Sequence, residues 1–194
     1  MPDELREGVP QDAWERAQLA RAQKGDAQAF GDVLKRYQTR IYSLVRRLVA
    51  RPAEAQELTQ EVFLQAFKSQ ARFDPNRPFR PWLYRIAVNV CQNHRRHASR
   101  RELAQPPLDH LTPLWGALPA TPEQAAVHQD DAQRLETYLL RLKPSDRELL
   151  LLRFWEELDY AELVRIYHLP QTVLKMRVHR ALNTLRQWVE GGRS

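Results

Sequence analysis

The strongest signal for the fold is the stretch FRPWLYRIAVNVCQNHRRHASRR, residues 79–101. Four apolar residues recur in it at i, i+3, i+4 and i+7, namely Leu83, Ile86, Ala87 and Val90. This spacing predicts an amphipathic helix whose apolar seam packs on a core. From Arg77 to Arg101 there are seven arginines and no acidic residue, so the segment has a net charge of +7. The other face of the helix is therefore strongly basic.

The face opposite the seam combines arginines with side-chain amides, namely Arg85, Asn89, Gln92 and Arg96. Such groups neutralise phosphates and form hydrogen bonds with the edges of bases. Three rings near the start of the helix, Phe79, Trp82 and Tyr84, offer surfaces on which unstacked bases can lie. An arginine-rich helix can also be a solvated face over an ordinary core. The aromatic cluster and the absence of acids favour a nucleic-acid surface with single-strand character.

The composition of the whole chain agrees with a polyanionic partner. The 194 residues carry a formal net charge of +6, and the excess is concentrated locally. The single cysteine, Cys91, excludes an internal disulfide and is typical of a reducing compartment. No apolar run approaches the ~20 residues of a membrane span, and the N-terminus lacks the basic and apolar regions of a signal peptide. We therefore expect a cytoplasmic protein without membrane insertion.

Long stretches at a period of 3.6 residues and only six glycines predict an all-α chain. Four helices are expected in the first part, at about 13–24, at about 27–50, at about 52–70 and from about 82 onward. Asp26 is expected to cap the second helix, and Pro52 to open the third. The loop 71–81 holds three prolines, which keep its backbone extended and rigid.

The composition changes abruptly after residue 101. Residues 102–133 contain five acids, no Lys or Arg, and five prolines. This composition predicts a linker, with a helix resuming near Pro122 or Glu123. The chain is therefore expected to consist of a helical domain at 1–101, a linker at 102–133 and a second small helical domain at 134–194.

The second domain has the layout of a helix-turn-helix. A helix from Ser145, a shorter helix at about 160–166, a turn at 167–170 and a long final helix follow one another. A final helix seated in the major groove presents its exposed side chains to bases and phosphates. Here those side chains are Thr172, Lys175, Met176, Arg177, His179 and Arg180. The alternative is an amphipathic helix that mainly packs on the core.

No catalytic residue, cofactor or metal site is predicted. The sequence has no glycine-rich phosphate loop, its six histidines lack the spacing of metal ligands, and no nucleophile stands in a pattern with a base. We therefore expect a protein that is not an enzyme.

The chain resembles the bacterial sigma factors of the extracytoplasmic-function (group 4) class. Three segments resemble conserved region two of that family, namely DAQAFGDVLKRYQTRIYSLV, EAQELTQEVFLQAF and FRPWLYRIAVNV. Two further segments, LKPSDRELLLLRF and LDYAELVRIYHLPQTVLKMRVHRALNTLR, resemble region four. The resemblance covers roughly 24–101 and 134–189, most of the chain. It implies a dissociable subunit that lets the RNA polymerase core recognise and open promoters.

The resemblance also implies a role for each part. The third helix would bind the β and β′ subunits of the polymerase core through Glu54, Glu57, Gln60 and Glu61. The first domain would hold the −10 element, double-stranded and then melted, through Asn76, Arg77, Arg80, Trp82, Tyr84, Arg85, Asn89, Gln92, Arg95 and Arg96. The six exposed residues of the final helix would read the −35 element. An anti-sigma factor is implied as a further partner.

Departures from the family pattern cluster in the second domain, among them Val164 in place of a small residue. His168 stands in the turn where the family usually has glycine, and Met176 replaces a short hydroxyl side chain. A positive φ at His168 costs on the order of 1 kcal/mol, unless the turn has another geometry. Methionine has no hydrogen-bond donor for a base edge. We therefore expect weaker and less selective reading of the −35 element than the family pattern implies.

Other interpretations remain open at this stage. A sigma-like interaction protein would bind the polymerase core without supporting initiation at promoters. A stand-alone helix-turn-helix regulator would bind DNA without polymerase. From the residues alone, the acidic face of the third helix is also compatible with simple solvation, and the loop 73–81 with an ordinary proline-rich turn.

Overall fold

The computed structural model describes residues 11–49, 51–102, 135 and 137–191. The first half, residues 11–102, contains α1 (Gln11–Gln23), α2 (Ala27–Leu48), α3 (Pro52–Ser69) and α4 (Phe79–Glu102). The second half, residues 137–191, contains α5 (Pro144–Leu150), α6 (Tyr160–Tyr167) and α7 (Gln171–Gly191). No strand occurs in the described residues. The prediction of an all-α fold is confirmed.

The helix boundaries of the first half follow from local sequence. Gly25 separates α1 from α2 with a φ of 97°, which favours glycine. The Asp26 carboxylate accepts a hydrogen bond from the Ala29 backbone N–H at 3.0 Å and caps α2. This hydrogen bond holds the pKa of Asp26 below its usual range. Pro52 opens α3 at a position that needs no N–H donor. Asp26 and Pro52 therefore act as predicted.

The basic helix α4 begins three residues earlier than predicted. It was expected from Trp82, after a loop ending at Pro81, but it starts at Phe79 and includes Pro81 in its first turn. Proline is tolerated there because the first N–H groups of a helix have no partner within the helix. The predicted loop is shortened at its other end as well, where Gln70–Arg72 forms a single 3₁₀ turn.

Aromatic rings fill the core of the first half. Phe79 is only 1% exposed and meets Phe30 edge to face, with 6.0 Å between ring centroids. Phe73 lies 5.4 Å from Phe79 and 4.9 Å from the half-buried Trp82. The prediction that Phe79 offers a surface to an unstacked base is therefore wrong, since its ring has no free face. Truncating a buried ring of this kind to alanine costs about 3–5 kcal/mol.

The second half keeps the helix-turn-helix layout. The Asp159 carboxylate accepts a hydrogen bond from the Glu162 backbone N–H at 2.7 Å, and the Glu162 carboxylate accepts one from the Asp159 N–H at 2.9 Å. This capping box fixes the start of α6. His168 ends α6 with φ 54° and ψ 34°, in the left-handed region. The turn thus keeps the backbone conformation that glycine usually adopts, with histidine in that position.

A π-helical turn and a short helical segment complete the second half. A π-helical turn, Leu151–Trp155, follows α5 directly. Residues 137–141 are helical, and the Arg141 guanidinium lies 4.9 Å from the centre of the Trp188 ring of α7. The predicted linker lies outside the described residues except for Glu102, and so does the helix expected near Pro122 or Glu123.

The two halves share one apolar core. α4 packs against α6 as well as against α2 and α3. Tyr84 and Cys91 of α4 belong to the same buried cluster as Leu163 of α6. The sequence predicted two helical domains but no contact between them. The structure brings them together, with the second half lying on the basic helix.

Candidate nucleic-acid interface

Part of the predicted nucleic-acid surface is accessible. Arg85, Asn89 and Arg96 are exposed along α4, and Asn76 and Arg77 are exposed in the loop before it. Their side chains combine positive charge with amide groups, which suits phosphates and base edges. These five residues form the open part of the predicted surface.

Other predicted contacts of α4 lie beneath the second half. Tyr84 is fully buried, and its hydroxyl donates a hydrogen bond to the Glu156 carboxylate. Arg80 donates to the backbone carbonyl of Glu156, and its guanidinium lies 3.9 Å from the Glu162 carboxylate. The ring of Tyr84, predicted to face a base, is enclosed in this arrangement. It can meet DNA only if the second half moves away.

Glu148 of α5 makes the second polar contact with α4. Its side chain is fully buried, and Oε1 accepts hydrogen bonds from the Gln92 amide at 3.0 Å and from the Tyr167 hydroxyl at 2.8 Å. Its Oε2 lies 3.9 Å from Nη2 of Arg95. A glutamate of the second half therefore binds two more of the predicted DNA contacts, Gln92 and Arg95.

Burial changes the proton affinity of the groups at this contact. It raises the pKa of Glu148 although the hydrogen bonds from Tyr167 and Gln92 oppose the change. Burial likewise raises the pKa of Glu156, against the hydrogen bond from Tyr84. Cys91 lies near Glu148, and burial together with that carboxylate raises the pKa of its thiol to about 12. The thiol is therefore protonated and unreactive at neutral pH.

Arginines contact the other half at the edges of the shared core. The Arg47 guanidinium of α2 lies over the Trp155 ring at 3.7 Å. Nη2 of Arg147 in α5 donates to the Leu48 backbone carbonyl at 3.4 Å. Contacts therefore join the halves at α2 as well as along α4.

The loop before α4 is organised by Asp74. Its carboxylate accepts hydrogen bonds from the backbone N–H of Asn76 at 3.0 Å and from the Asn76 side-chain amide at 3.1 Å. Nε of Arg77 lies 3.6 Å from the same carboxylate. A cavity of about 70 Å³ separates the loop from α1 and is lined by Glu15, Arg16, Leu19, Asn76, Arg77, Pro78 and Phe79. α1 thus contributes to the surroundings of the loop, which the sequence did not predict.

The predicted polymerase-binding face of α3 is exposed except at one residue. Glu57, Gln60 and Glu61 are exposed. Glu54 is half-buried, with its carboxylate 3.8 Å from Arg51 and 3.5 Å from the His94 imidazole. Leu64, which is 46% exposed, extends the same face by one turn. The open face therefore combines acids, an amide and an apolar side chain.

The final helix α7 leaves five of its six predicted contacts on the surface. These are Thr172, Lys175, Met176, His179 and Arg180. Arg177 instead turns back to α5, where its Nη2 donates to the Asp146 carboxylate at 3.0 Å and to the Ser145 backbone carbonyl at 3.2 Å. Arg177 therefore fastens α7 to α5 in this arrangement.

The sequence did not predict the three glutamates that contact α4. The burial of Glu148 could have been predicted, because this residue stands in the leucine-rich run RELLLLRF. A buried carboxylate needs polar partners. Its partner Gln92 lies 56 residues away, and nothing in the sequence identifies that pairing.

Neither a metal site nor a membrane span is found in the described part of the chain. No group of three or more His, Cys, Asp or Glu there could hold a metal ion. None of the described helices combines the length and the hydropathy that a membrane crossing requires.

Two family models match the sequence. The model of sigma-70 region 2 matches residues 33–101, and that of sigma-70 region 4 matches residues 132–185. The extracytoplasmic-function (ECF) RNA polymerase sigma factor SigW of Bacillus subtilis is 30% identical over 175 residues, covering 87% of this chain and 93% of that protein. The ECF sigma-E factor of Escherichia coli K12 is 29% identical over 181 residues, covering 89% of this chain and 92% of that protein.

Two solved structures share the fold. CnrH in complex with the cytosolic domain of CnrY gives a TM-score of 0.67 at 21% identity, covering 92% of this chain and 98% of CnrH. RpoE in complex with the anti-sigma factor NepR, from Bartonella quintana, gives 0.69 at 20% identity, covering 84% of this chain and 98% of RpoE. At these identities the similarity concerns the fold alone.

A region 2 helical domain followed by a region 4 helix-turn-helix defines the sigma-70 class of initiation factors, which bind RNA polymerase and promoter DNA. The chain belongs to the extracytoplasmic-function sigma factor family and directs transcription initiation by RNA polymerase. The resemblance stated from the sequence is confirmed.

Proposed function

We propose that three separate surfaces of this sigma factor perform its three tasks. The face of α3 with Glu57, Gln60 and Glu61, bordered by Glu54, binds the β and β′ subunits of the polymerase core. The loop and α4 recognise the −10 element and hold its melted strand. α7 reads the −35 element with its five exposed residues. Arg177 becomes a sixth contact once its hydrogen bond to Asp146 is broken. The domain boundaries proposed for these tasks remain 1–101, 102–133 and 134–194.

The observation that carries the proposal is the open face of α4. Arg85, Asn89 and Arg96 are exposed on one helix, in a segment that contains no acidic residue from Arg77 to Arg101. An ordinary solvated helix mixes charges of both signs, whereas this face attracts phosphates along its whole length. Asn76 and Arg77 extend the surface into the loop.

The exposed face of α3 supports the polymerase contact. Leu64 is accessible beside two carboxylates, and the first half does not use it in its own core. An apolar side chain with a polar rim is the usual composition of a protein interface. This face is therefore suited to a protein partner, whereas α4 is suited to DNA.

We propose that the chain acts in the cytoplasm, is not an enzyme and needs no cofactor. An anti-sigma factor is proposed as a regulator, because RpoE of Bartonella quintana, which has the same fold, is known in complex with the anti-sigma factor NepR.

Run-off transcription with purified polymerase core tests the proposal. Core is mixed with the full-length chain and a library of genomic promoter fragments, and promoter-specific transcripts are expected only when both are present. Replacing Arg85, Asn89 and Arg96 together by alanine should abolish the transcripts while co-purification with core persists. Gln38→Ala, at an exposed position of α2, serves as the control and should leave transcription unchanged.

Two outcomes would favour the other functions. Binding to core without any promoter-specific transcript would indicate a sigma-like interaction protein. A DNase footprint of the free chain, equally strong without polymerase, would indicate a stand-alone regulator.

A further inference from the structure

The first helix, α1, supplies one wall of the cavity beside the loop before α4. Glu15, Arg16 and Leu19 line this wall, and residues 76–79 line the opposite one. The sigma-70 region 2 model begins its match at residue 33, so α1 lies outside the part of the chain that the family model covers. The loop proposed to hold a base of the −10 element therefore faces a helix with no role in the proposed function.

Two hydrogen bonds hold α1 against the rest of the first half. Near its start, the Tyr37 hydroxyl donates to Oε2 of Glu15 at 2.8 Å, and burial raises the pKa of Tyr37, so the hydroxyl keeps its proton. At its end, the Gln23 side-chain amide donates to the Phe73 backbone carbonyl, where the loop begins. The cavity therefore lies between two walls that are fastened to each other, and the Glu15 carboxylate has a defined orientation.

The polar groups of the two walls differ in hydrogen-bonding character. The Glu15 carboxylate only accepts, and its two oxygens can accept other hydrogen bonds besides the one from Tyr37. Across the cavity, the Arg77 guanidinium only donates. The Asn76 amide, which Asp74 holds in place, has a second N–H to donate. A ligand that fits between the walls presents a donor to α1 and acceptors to the loop.

Cytosine carries this pattern along one edge. Its N4 amino group donates, whereas N3 and O2 accept, and a flipped base is read by this Watson–Crick edge. Thymine has O4 in place of N4, so a carbonyl would face the Glu15 carboxylate with no proton between them. Adenine offers the amino group but has no counterpart of O2. The cavity of about 70 Å³ is about half of the roughly 150 Å³ that encloses benzene, so it takes the edge of a base and not its whole ring.

We propose that Glu15 is a specificity-determining residue, which accepts a hydrogen bond from the N4 amino group of an unpaired cytosine in the melted −10 element. The inference rests on the proposed function of the loop and names the base that it takes. Arg77 and Asn76 donate to N3 and O2 of the same base, and Tyr37 positions the Glu15 carboxylate. α1 thus joins the loop in reading the melted strand, while the open face of α4 binds its phosphates.

Binding of bubble templates to the holoenzyme, polymerase core with the full-length chain, tests the proposal. A promoter recovered by run-off transcription is prepared with its −10 element unpaired. Each non-template base is replaced in turn by C, T, A or an abasic site. One position should bind C about tenfold more tightly than T, which is the discrimination expected of one well-read base. Adenine should bind with intermediate affinity at that position.

Two variants test the hydrogen bond itself. Glu15→Gln keeps the size of the side chain but adds an amide donor that can face O4 of thymine. It should lower the C-to-T ratio at that position from about tenfold to below about twofold. Tyr37→Phe keeps the ring that packs on Phe79 but loses the hydroxyl that orients Glu15. Its C-to-T ratio should be about threefold.

A matched control and the abasic template separate base reading from folding. Glu190→Gln removes a carboxylate at an exposed position of α7 and should keep the ratio of about tenfold. On the abasic template Glu15→Gln should bind like the wild type, within about twofold, because no base is present to be read. An equal C-to-T ratio in the wild type and in Glu15→Gln would overturn the proposal. Weakening of all templates alike, the abasic one included, would overturn it too, since Glu15 would then only support the fold.

The same templates distinguish failure of this inference from failure of the proposed function. If the holoenzyme prefers no base at any position of the bubble, the loop does not read a melted strand, and the proposed function fails together with this inference. If a base preference exists and is lost in Arg77→Ala but kept in Glu15→Gln, the loop reads the base without α1. In that case only this inference fails.

Discussion

The side-chain amide of Gln92 donates a 3.0 Å hydrogen bond to the fully buried carboxylate of Glu148, which lies 56 residues further along the chain. The hydroxyl of Tyr167 donates to the same carboxylate oxygen at 2.8 Å, so a single acid joins α4, α5 and α6. Burial away from water disfavours the charged form of this carboxylate. The raised proton affinity makes the stability of the fold depend on pH.

The first prediction is that protonation of two buried acids stabilises the folded chain. Burial raises the pKa of Glu148 and of Glu156 above the ordinary value of 4.5. Their contribution to stability is fully present below the unfolded pKa and is lost as the pH rises through the raised pKa. We expect a component of the free energy of unfolding that decreases as the pH rises above about 4.5, measured by urea denaturation.

The variant Glu148→Gln/Glu156→Gln isolates this component. The charged groups that act on Glu148 are Arg95, Arg147 and Arg177, and those that act on Glu156 are Arg40, Arg47 and Arg80. Tyr84 and Tyr167 stay neutral because burial raises the pKa of each. Stability should therefore fall less steeply with pH in the variant than in the wild type. Parallel profiles would show that the two carboxyls do not titrate as expected.

The second prediction concerns the polymerase core. Reversing the charge of Glu57 and Glu61 to lysine should weaken co-purification with core, because both side chains lie on the open face of α3. The far-UV helical signal should be retained, since neither residue is buried. Glu190→Lys, on α7, should bind core normally. Unchanged affinity of the double variant for core would move the contact elsewhere.

The third prediction concerns promoter melting. Asn76→Ala should lower the permanganate reactivity of unpaired thymines near the start site, because it removes an exposed amide from the loop proposed to hold a base. Binding to polymerase should persist, as the loop is separate from the open face of α3. Gln38→Ala provides the matched loss of an exposed amide on α2. Equal reactivity in both variants would exclude Asn76 as the base contact.

The fourth prediction uses the left-handed turn. His168 has φ 54° and is exposed, so His168→Gly relieves backbone strain without losing buried contacts. The strain is about 1–2 kcal/mol and the added entropy of unfolded glycine is about 0.5–1 kcal/mol. We expect a net gain of roughly 0.5–1 kcal/mol in the free energy of unfolding, measured in urea.

Two glycine substitutions nearby control this measurement. Glu157 also has φ 54° and is exposed, and Glu157→Gly should change stability in the same direction. Arg165 is an exposed residue within α6, where glycine should cost about 1 kcal/mol. Destabilisation by all three changes would show that the positive φ carries no strain.

The fifth prediction separates two arginines of α7. Arg177 is bound to Asp146 and Ser145, so Arg177→Ala should lower the free energy of unfolding by about 1–3 kcal/mol. Arg180 is exposed, so Arg180→Ala should leave stability unchanged but weaken binding to duplex DNA and reduce its salt slope by about 1. Urea denaturation and salt titrations of DNA binding distinguish the two. Identical behaviour of the two variants would contradict this division.

Local sequence was sufficient to predict most helices. Asp26, Gly25 and Pro52 act on their immediate neighbours, and such short-range rules require no knowledge of the rest of the fold. The predicted start of α4 was wrong because Pro81 can end a loop or stand in the first turn of a helix. Proline lacks a backbone N–H, and neither position requires one. That difference placed Phe79 in the core instead of on the surface.

The contact between the halves could not be predicted from periodicity. α4 has two buried sides, one with Leu83 and Ala87 and another with Tyr84 and Cys91, but helical periodicity predicts only the first. The second side also carries polar groups, whose hydrogen-bond partners lie far away in the sequence. Exposure of the remaining site residues agrees with their proposed roles, and their contacts with DNA and polymerase stay predictions.

The buried thiol of Cys91 makes domain separation observable in the unmodified protein. A pKa of about 12 and burial of the side chain both protect the sulfur from alkylating reagents. Departure of Glu148 removes a neighbouring negative charge and admits solvent, so the labelling rate becomes proportional to the fraction of open molecules. A time course of alkylation would therefore report how often the two halves separate in solution.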